Sequence, residues 1–551
     1  MKPFLDIPED HEKLKNVCLE QSLLLKQNTA ALQEKNTTIQ DQEKQIKILE
    51  EYILYLKHQK FGTSSERHID QLSLLDESEC IADEVVESQD EPPTEDDSQE
   101  NEPDDNTNKP KKRGRRKLPE NLPRIKRYHE LAENQQQCDC GCQMEAFDEV
   151  TSEQLGIIPA KLYVIQHCRK KYRCKQCEGA IKLAPLPPQP IPKSNASPEL
   201  LAYSIVAKFL DGLPFYRQEK IWERMDVSLP RATLANWAIK SGGDLVQPLI
   251  NLLIEHQMSG DYLNIDETTI QVLKEPDKPP DGKKYFWVTV GGSDEKPVYR
   301  FHYNPSRGTQ VAKALLDDFK GTVMSDDWHI YDRACEALSL QHITCNDHAR
   351  RKFKEAKIVE PKNKNKKLST PSRPGIALIY YKKLYAIEKR IKLMASASAD
   401  DIRTIRQTES QPIWEAFKTW IEKTIPHINP ASKLGKALNY TYRLWPKLTA
   451  YCDDGRLPMS NERAENAIRP FAIARKNFLF FDSPQGAKAS ENHYSLIMTA
   501  KMNGLDPFYY MAHVLKNLPS AETLEDVEGL LPWNLDNEML KASFDINKGV
   551  V

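Results

Sequence analysis

Three acidic residues, Asp266, Asp326 and Glu465, stand in the local contexts that a metal-dependent nuclease core needs. Asp266 interrupts an apolar, β-branched run at 262–273, Asp326 ends a short run at 321–325, and Glu465 follows a helix-start signal at Ser460-Asn461. Carboxylates suit that chemistry. Two Mg2+ or Mn2+ ions held close together by hard oxygen ligands activate a water or a 3′-hydroxyl and stabilise the leaving oxygen of an in-line phosphodiester displacement. A single carboxylate is more commonly a solvated or capping residue, so the weight rests on the ordered set. Asp327 and Glu462 compete for the second and third roles.

The elements that must position these acids are legible as periodicity. After the strand at 262–273 come strand-like runs at 285–290 and 298–303, separated by a Gly291-Gly292 turn signal. A helical stretch from about 309 to 319, a short strand at 321–325 and a fifth strand at 342–345 follow. A β-β-β-α-β order places the centre of the first strand beside the end of the fourth, which is the ribonuclease-H-like arrangement. Ser460 or Asn461 caps a short helix ending before Pro470, with Glu462 and Glu465 on one face. The 138 residues between Asp326 and Glu465 predict a helical insertion beginning near Phe353. It includes a basic loop at 362–367 and helical runs at 379–392 and 413–423. Cys345-x-x-His348 offers only two ligands, so packing or a DNA contact is its better reading.

The formal charge of −3 over 551 residues hides local asymmetry: positions 76–105 hold fifteen Asp or Glu and no Lys or Arg, and Lys-Pro-Lys-Lys-Arg-Gly-Arg-Arg-Lys follows at 109–117. That composition reads as a linker, and Arg113 and Arg115 suit a narrow minor groove, although a solvated charge run fits equally. No signal peptide and no membrane-spanning run are apparent, so a soluble, intracellular protein is expected. Upstream, Cys18, Leu25, Leu32, Ile39, Ile46 and Ile53 recur every seven residues with no Pro or Gly between 11 and 60, which favours a zipper over a helix docked on its own chain. Eleven cysteines, an odd number, fit metal ligands better than a disulfide framework. Cys174 and Cys177 have zinc-knuckle spacing, and Cys138 and Cys140 complete a tetrahedral Zn2+ site, with Cys142 an alternative and His167 and Cys168 spectators. From 197 to about 256 the chain is helical. Residues 218–225 and 231–237 read either as helix-turn-helix, with Arg231 toward DNA, or as a packing hairpin that buries Trp222 and Trp237. Arg469, Arg475 and Lys476 are candidate phosphate contacts.

The chain resembles the transposases of the bacterial IS66 family of insertion sequences along nearly its whole length. The resemblance is carried by Phe61-Gly62-Thr63-Ser64-Ser65-Glu66, Gly156-Ile157-Ile158-Pro159-Ala160, Leu213-Pro214-Phe215-Tyr216-Arg217-Gln218, Cys345-Asn346-Asp347-His348-Ala349-Arg350-Arg351-Lys352-Phe353, Ala464-Glu465-Asn466-Ala467-Ile468-Arg469-Pro470-Phe471 and Leu530-Leu531-Pro532-Trp533-Asn534. It implies a multidomain α+β protein with an N-terminal coiled-coil helix, a small zinc-binding module and a ribonuclease-H-like core with a helical insertion. Expected bounds are 1–67 for the zipper, 68–117 for the linker, 118–190 for the zinc module, 191–258 for the helical DNA-binding region, 259–353 and 456–505 for the core, 354–455 for the insertion and 506–551 for the C-terminal segment. It further implies Mg2+- or Mn2+-dependent DNA cleavage and strand transfer by Asp266, Asp326 and Glu465, and structural Zn2+. The implied partners are transposon ends and target DNA, self-association as a dimer or higher, and small accessory proteins of the same element, in the bacterial cytoplasm at the nucleoid. The competing reading is an inactive, zinc-containing DNA-binding regulator derived from a transposase.

Overall fold

The computed structural model describes residues 11–61, 162–173, 181–359, 371–394 and 396–543. The chain divides into two compact units, Met1–Ser88 with Pro187–Val551, and Gln89–Leu186. The linker with Arg113 and Arg115, the zinc ligands Cys138, Cys140, Cys174 and Cys177, and the basic loop 362–367 lie outside the described residues. In the smaller unit, β1 (Lys171–Arg173) pairs antiparallel with β2 (Ile181–Leu183), Tyr172 opposite Lys182. Arg169 Nε closes the ladder by donating to Ala184 O at 2.6 Å.

In the larger unit, α1 (His11–Phe61) is one unbroken helix. Its heptad residues Leu25, Leu32, Ile39, Ile46 and Ile53 are 49–67% exposed, so the stripe is not buried against its own chain. Glu51 Oε2 accepts from the Lys433 backbone N–H at 3.2 Å. No helix among the described residues is long and apolar enough to cross a membrane.

A helical layer follows: α2 (Pro198–Phe209), α3 (Phe215–Glu223), α4 (Arg231–Ser241) and α5 (Gln247–Met258). Ser197 caps α2 by accepting from Leu200 N, with Pro198 preset for the first turn. Of the two openings left for 218–237, the packing one describes the core: Trp222 and Trp237 are 2% and 7% exposed within the main hydrophobic cluster. Arg231, Asn236 and Lys240 keep the outer side of α4 exposed.

The sheet consists of β3 (Tyr262–Ile270), β4 (Lys284–Gly292), β5 (Pro297–Asn304), β6 (Thr322–Ser325) and β7 (Gln341–Thr344), with α6 (Thr309–Leu316) and α7 (His329–Leu338) between the later strands. Its order is β5-β4-β3-β6-β7. β3, β4 and β5 form an antiparallel meander, while β6 runs parallel to β3 and β7 parallel to β6. These are the strands that periodicity predicts. Gly321 lets β6 start flush against β3, since a Cβ there would meet Asp261 O at 2.1 Å. Side chains alternate across β3: Leu263 and Ile265 pack with Trp287, Val323 and Tyr331 under α6 and α7, whereas Ile270 joins Phe286, Val288 and Val290 on the opposite face.

The insertion comprises α8 (Asn346–Ile358), α9 (Arg373–Lys392), α10 (Ala399–Ile405), a π-helical turn (Arg406–Ser410), α11 (Gln411–Thr424), α12 (Lys433–Arg443) and α13 (Trp445–Thr449). Phe353, Tyr381, Trp414 and Phe417 share one core with Tyr262, Met324 and Ile343 of the sheet, so the expected boundary at 353/354 falls inside α8 and inside a continuous core. The chain returns through α14 (Glu462–Phe478), α15 (Pro484–Met502) and α16 (Pro507–Asn517). α15 lies on β5, where Ser495 Oγ and Thr499 Oγ1 accept from Phe301 N and Tyr299 N at 2.9 and 3.1 Å. Leu505, Tyr510 and Met511 belong to the main core, which therefore runs across the expected boundary at 505/506. The expectation that the helix after Asn461 ends before Pro470 is corrected, because α14 passes through that proline. The lost N–H would have served the carbonyl of exposed Asn466, and burial of Phe471, Ala472 and Ala474 holds the helix beyond it.

Arg406 organises the insertion. Its guanidinium pairs with Glu388 at 2.7 and 2.9 Å and donates to the carbonyls of Tyr451, Asp454 and Leu457 at 2.8–3.1 Å, with the side chain 5% exposed. Replacing it by Ala strips the half-buried Glu388 carboxylate of its ion-pair partner and takes a donor from three carbonyls, of which Asp454 O keeps the Leu457 N–H. The expected cost is about 3–5 kcal/mol, seen as a lower thermal midpoint for Arg406→Ala; an unchanged midpoint would show that the pair does not organise this domain.

Candidate functional site

Parallel pairing sets Leu263 opposite Val323 and Asn264 opposite Met324. Two residues further along the same register come Asp266 and Asp326. Adjacent strands lie about 4.8 Å apart, so the two acids stand side by side where β6 gives way to the loop before α7. Asp266 Oδ1 accepts from Glu267 N at 2.7 Å and Asp326 Oδ1 from Trp328 N at 3.1 Å. Burial, then the negative charges of Glu267 and Asp326, push the Asp266 carboxyl well above the usual carboxylate range.

Glu465 is brought in by the first turn of α14. The start of that helix is bonded to the sheet rather than capped by its own side chain. Asn264 Nδ2 donates to Asn461 Oδ1 at 2.8 Å, Asn461 Nδ2 donates to Ile265 O at 3.3 Å, and Asn461 N donates to Cys345 Sγ at 3.1 Å. Glu465 is 6% exposed, and its Oε1 has no hydrogen-bond partner. That oxygen stands 3.7 Å from His348 Nδ1, beyond hydrogen-bond reach and likewise without a partner. Burial holds the His348 imidazole below its usual range, against the pull of the nearby Asp326 and Asp347 charges. His348 thus lies near both the third acid and the second. Cys345, His348 and Glu465 each place one donor atom within 4.8 Å of the others. Burial, then the Asp347 charge, pushes the Cys345 thiol up to about 12. A protonated sulfur that accepts the Asn461 N–H fits the packing reading of Cys345-x-x-His348. Asp266, Asp326 and Glu465 do not form such a tight three-donor group among the described residues. A site for two ions is necessarily wider, because the ions themselves are about 3.5–4 Å apart.

The competing acids each have a side-chain partner. Asp327 forms an ion pair with Arg443 from α12, its side chain 13% exposed. Glu462 sits half-buried at the first position of α14 and accepts from Asn466 Nδ2 at 3.5 Å. Glu267 faces the opposite side of the sheet from Asp266. Arg307 Nε reaches it at 2.7 Å and the Tyr331 hydroxyl also donates to it, while the Arg307 guanidinium lies 3.4 Å from the Trp328 ring centre.

The expected DNA contacts do not behave alike. Arg475 Nη1 donates to Thr268 Oγ1 at 3.3 Å and to the Thr269 carbonyl, tying α14 down onto β3. Lys476 beside it is exposed, Arg469 is half-buried, and Arg231 is exposed at the start of α4. Sequence reasoning missed Asn264, Asn461 as a bridge, and His348 as the neighbour of Glu465. One signal was available: Asn264 precedes Asp266 by two residues in an otherwise apolar run, which places a polar group on the same strand face.

Comparison with known proteins decides the family. A model described as Transposase IS66 family matches residues 193–489, more than half of the chain. The chain belongs to the IS66 transposase family. Further matches on this IS66-family protein are to the IS66 C-terminal element at 495–533, to Transposase C of IS166 homeodomain at 48–127 and to the zinc-finger binding domain of transposase IS66 at 135–178. The last of these supports a structural Zn2+ in the module that holds the clustered cysteines. Among similar curated proteins, Uncharacterized protein y4jD of Sinorhizobium fredii is 30% identical over 434 residues, covering 76% of this chain and 81% of its own. Uncharacterized protein y4qI of the same organism is 28% identical, covering 97% and 98%. A solved simian T-cell lymphotropic virus intasome in complex with PP2A regulatory subunit B56 gamma matches at 14% identity over 38% of this chain and 69% of its own; with a TM-score of 0.13 the likeness carries no argument. Family membership gives this protein a transposase-like role.

The raised Asp266 carboxyl has a measurable sign. A carboxyl whose pKa is higher in the folded than in the unfolded state favours folding in its protonated form, so stability falls as pH rises through and above the ordinary carboxylate range. In chelator, Asp266→Asn is expected to unfold at a higher temperature than the parent at pH 7, the gap closing toward pH 4. A variant less stable than the parent at pH 7 would contradict this electrostatic account.

Proposed function

We propose that this protein is a DNA transposase that binds the ends of an insertion sequence, cuts DNA there and joins the freed 3′-hydroxyl to a target, with Asp266, Asp326 and Glu465 as its acidic triad. The observation that carries this reading is the strand register that sets Asp266 beside Asp326, with buried Glu465 brought toward them on α14. The order β5-β4-β3-β6-β7, with a helical insertion before the last acid, supports a ribonuclease-H-like core. The donor set fits Mg2+ or Mn2+, because the acids offer hard oxygens, among them an unpartnered buried Oε1 on Glu465 and an Asp266 carboxyl whose ionisation is opposed by burial and then by the charges of Glu267 and Asp326. When bound, such ions activate the attacking water or hydroxyl and stabilise the leaving oxygen.

The chain's own residues do the positioning. Asp266 projects from β3, Asp326 stands just past the end of the adjacent β6, and Asn461 fixes the turn that carries Glu465. Arg475 holds α14 against β3, and Arg469 and exposed Lys476 on the same helix are the proposed contacts to backbone phosphates. Arg231, Arg113 and Arg115 extend the proposed DNA contact. Cys138, Cys140, Cys174 and Cys177, with Cys142 an alternative, hold the structural zinc, and the exposed apolar stripe of α1 supports self-association as a dimer or higher. Small proteins of the same element act with it in the bacterial cytoplasm.

Incubating the full chain with a labelled fragment carrying one end of its element and Mg2+ or Mn2+ tests this. Asp266→Asn, Asp326→Asn and Glu465→Gln are each expected to cut below about 1% of the parent rate while binding the fragment normally. A parent protein that binds but never nicks would instead be the inactive regulator. For the zinc module, elemental analysis is expected to find about one Zn per chain, lost in Cys174→Ser; a zinc-free parent would remove that part of the reading.

A further inference from the structure

The insertion reaches the acid-bearing end of β6 at two points. Arg443, the last residue of α12, pairs with Asp327, the immediate neighbour of Asp326. Lys447 of α13 pairs with Asp332 of α7. From Asp332 a line of polar contacts runs inward. Its Oδ1 lies 2.5 Å from His342 Nδ1, His342 Nε2 lies 2.8 Å from Ser325 Oγ, and Ser325 Oγ donates to the Asp326 carbonyl at 2.7 Å. The residue types are those of a hydrolase triad, but Ser325 is fully buried, so it has no route to a substrate. What the line does touch is the backbone of Asp326.

The local chain explains why such support is needed. β6 is four residues long, and α7 begins at His329 without a side-chain cap. The Asp326-Asp327-Trp328 loop between them is therefore oriented by what contacts it. Its contacts include the Trp328 N–H on Asp326 Oδ1, Ser325 on the Asp326 carbonyl, Arg443 on Asp327, and Arg307 and Tyr331 on the Trp328 ring. Those of Ser325 and Arg443 trace back to the insertion. Contacts one step behind a metal ligand fix its orientation and tune affinity.

We propose that the helical insertion sets the position of Asp326, with Arg443 and Lys447 as positioning residues acting through Asp327 and through Asp332, His342 and Ser325. This rests on the reading of Asp326 as a cation-binding carboxylate. The test is Mn2+ binding to the full chain, followed by the electron paramagnetic resonance signal of free Mn2+. Arg443→Ala and Lys447→Ala are each expected to weaken Mn2+ binding about ten- to a hundredfold, with Lys447→Arg restoring most of it. Arg390→Ala removes an ion pair with Glu409 elsewhere in the insertion and is expected to leave Mn2+ affinity at the parent value. Arg443 is 61% exposed, so its variant keeps the test open should Lys447→Ala fail to fold. Unchanged Mn2+ affinity in the Arg443 and Lys447 variants, with Asp326→Asn unable to bind, overturns the positioning role alone. Parent-like binding by Asp326→Asn overturns the underlying assignment of Asp326.

Discussion

Two carboxylates side by side, one on a strand and the other just past the end of its parallel neighbour, are an electrostatic liability, and much of the surrounding structure answers to it. The β3–β6 register forces Asp266 and Asp326 together, while burial denies Asp266 the water that would otherwise stabilise its charge. The charge of Glu267 next door adds to that field. Glu267 is turned to the other face of the sheet and hydrogen-bonded by Arg307 and Tyr331, and Asp327 is paired with Arg443. A buried polar frame then closes around the pair through Asn264, Asn461 and Asn346, whose amide reaches the carbonyls of Leu448 and Met459. Apolar replacements at these positions would each remove a buried hydrogen bond and leave a polar partner short of it, at roughly 1–3 kcal/mol.

The five strands were legible because each is a β-branched or aromatic run bounded by turn residues, and their order followed from chain direction and from the helix that separates β5 from β6. The acids proposed for the site could be read from sequence only as residue types in context. Their rivals were not separable by sequence, since Asp327 differs from Asp326 only in having Arg443 opposite it, 116 residues away. Pro470 misled because local rules weigh a missing N–H without knowing that Phe471 and Ala474 are buried on the far side of it. Helix-turn-helix and packing hairpin share one pattern of residues, and only the burial of Trp222 and Trp237 in a core built from distant segments tells them apart. The line from Lys447 to Asp326 joins four elements and has no local sequence signature at all.

Insertion and sheet are usually imagined as separable pieces, one structural and one chemical. Here Tyr262, Met324 and Ile343 of the sheet and Phe353, Tyr381, Trp414 and Phe417 of the insertion form a single cluster. A strain imposed on either is therefore felt by both, since close-packed interiors deform as units.

The π-helical turn at Arg406–Ser410 carries a consequence of its own. Such a turn holds one residue more than the α-helix it interrupts, and here the widened turn aims Arg406 inward at Glu388 and the carbonyls beyond. Losing a single codon within it would give a smoother helix by every measure of local propensity. It would also remove the widened turn at which Arg406 sits, and with it the placing of the guanidinium on Glu388 and on the carbonyls of Tyr451, Asp454 and Leu457. The irregularity is thus part of how the domain holds buried Arg406.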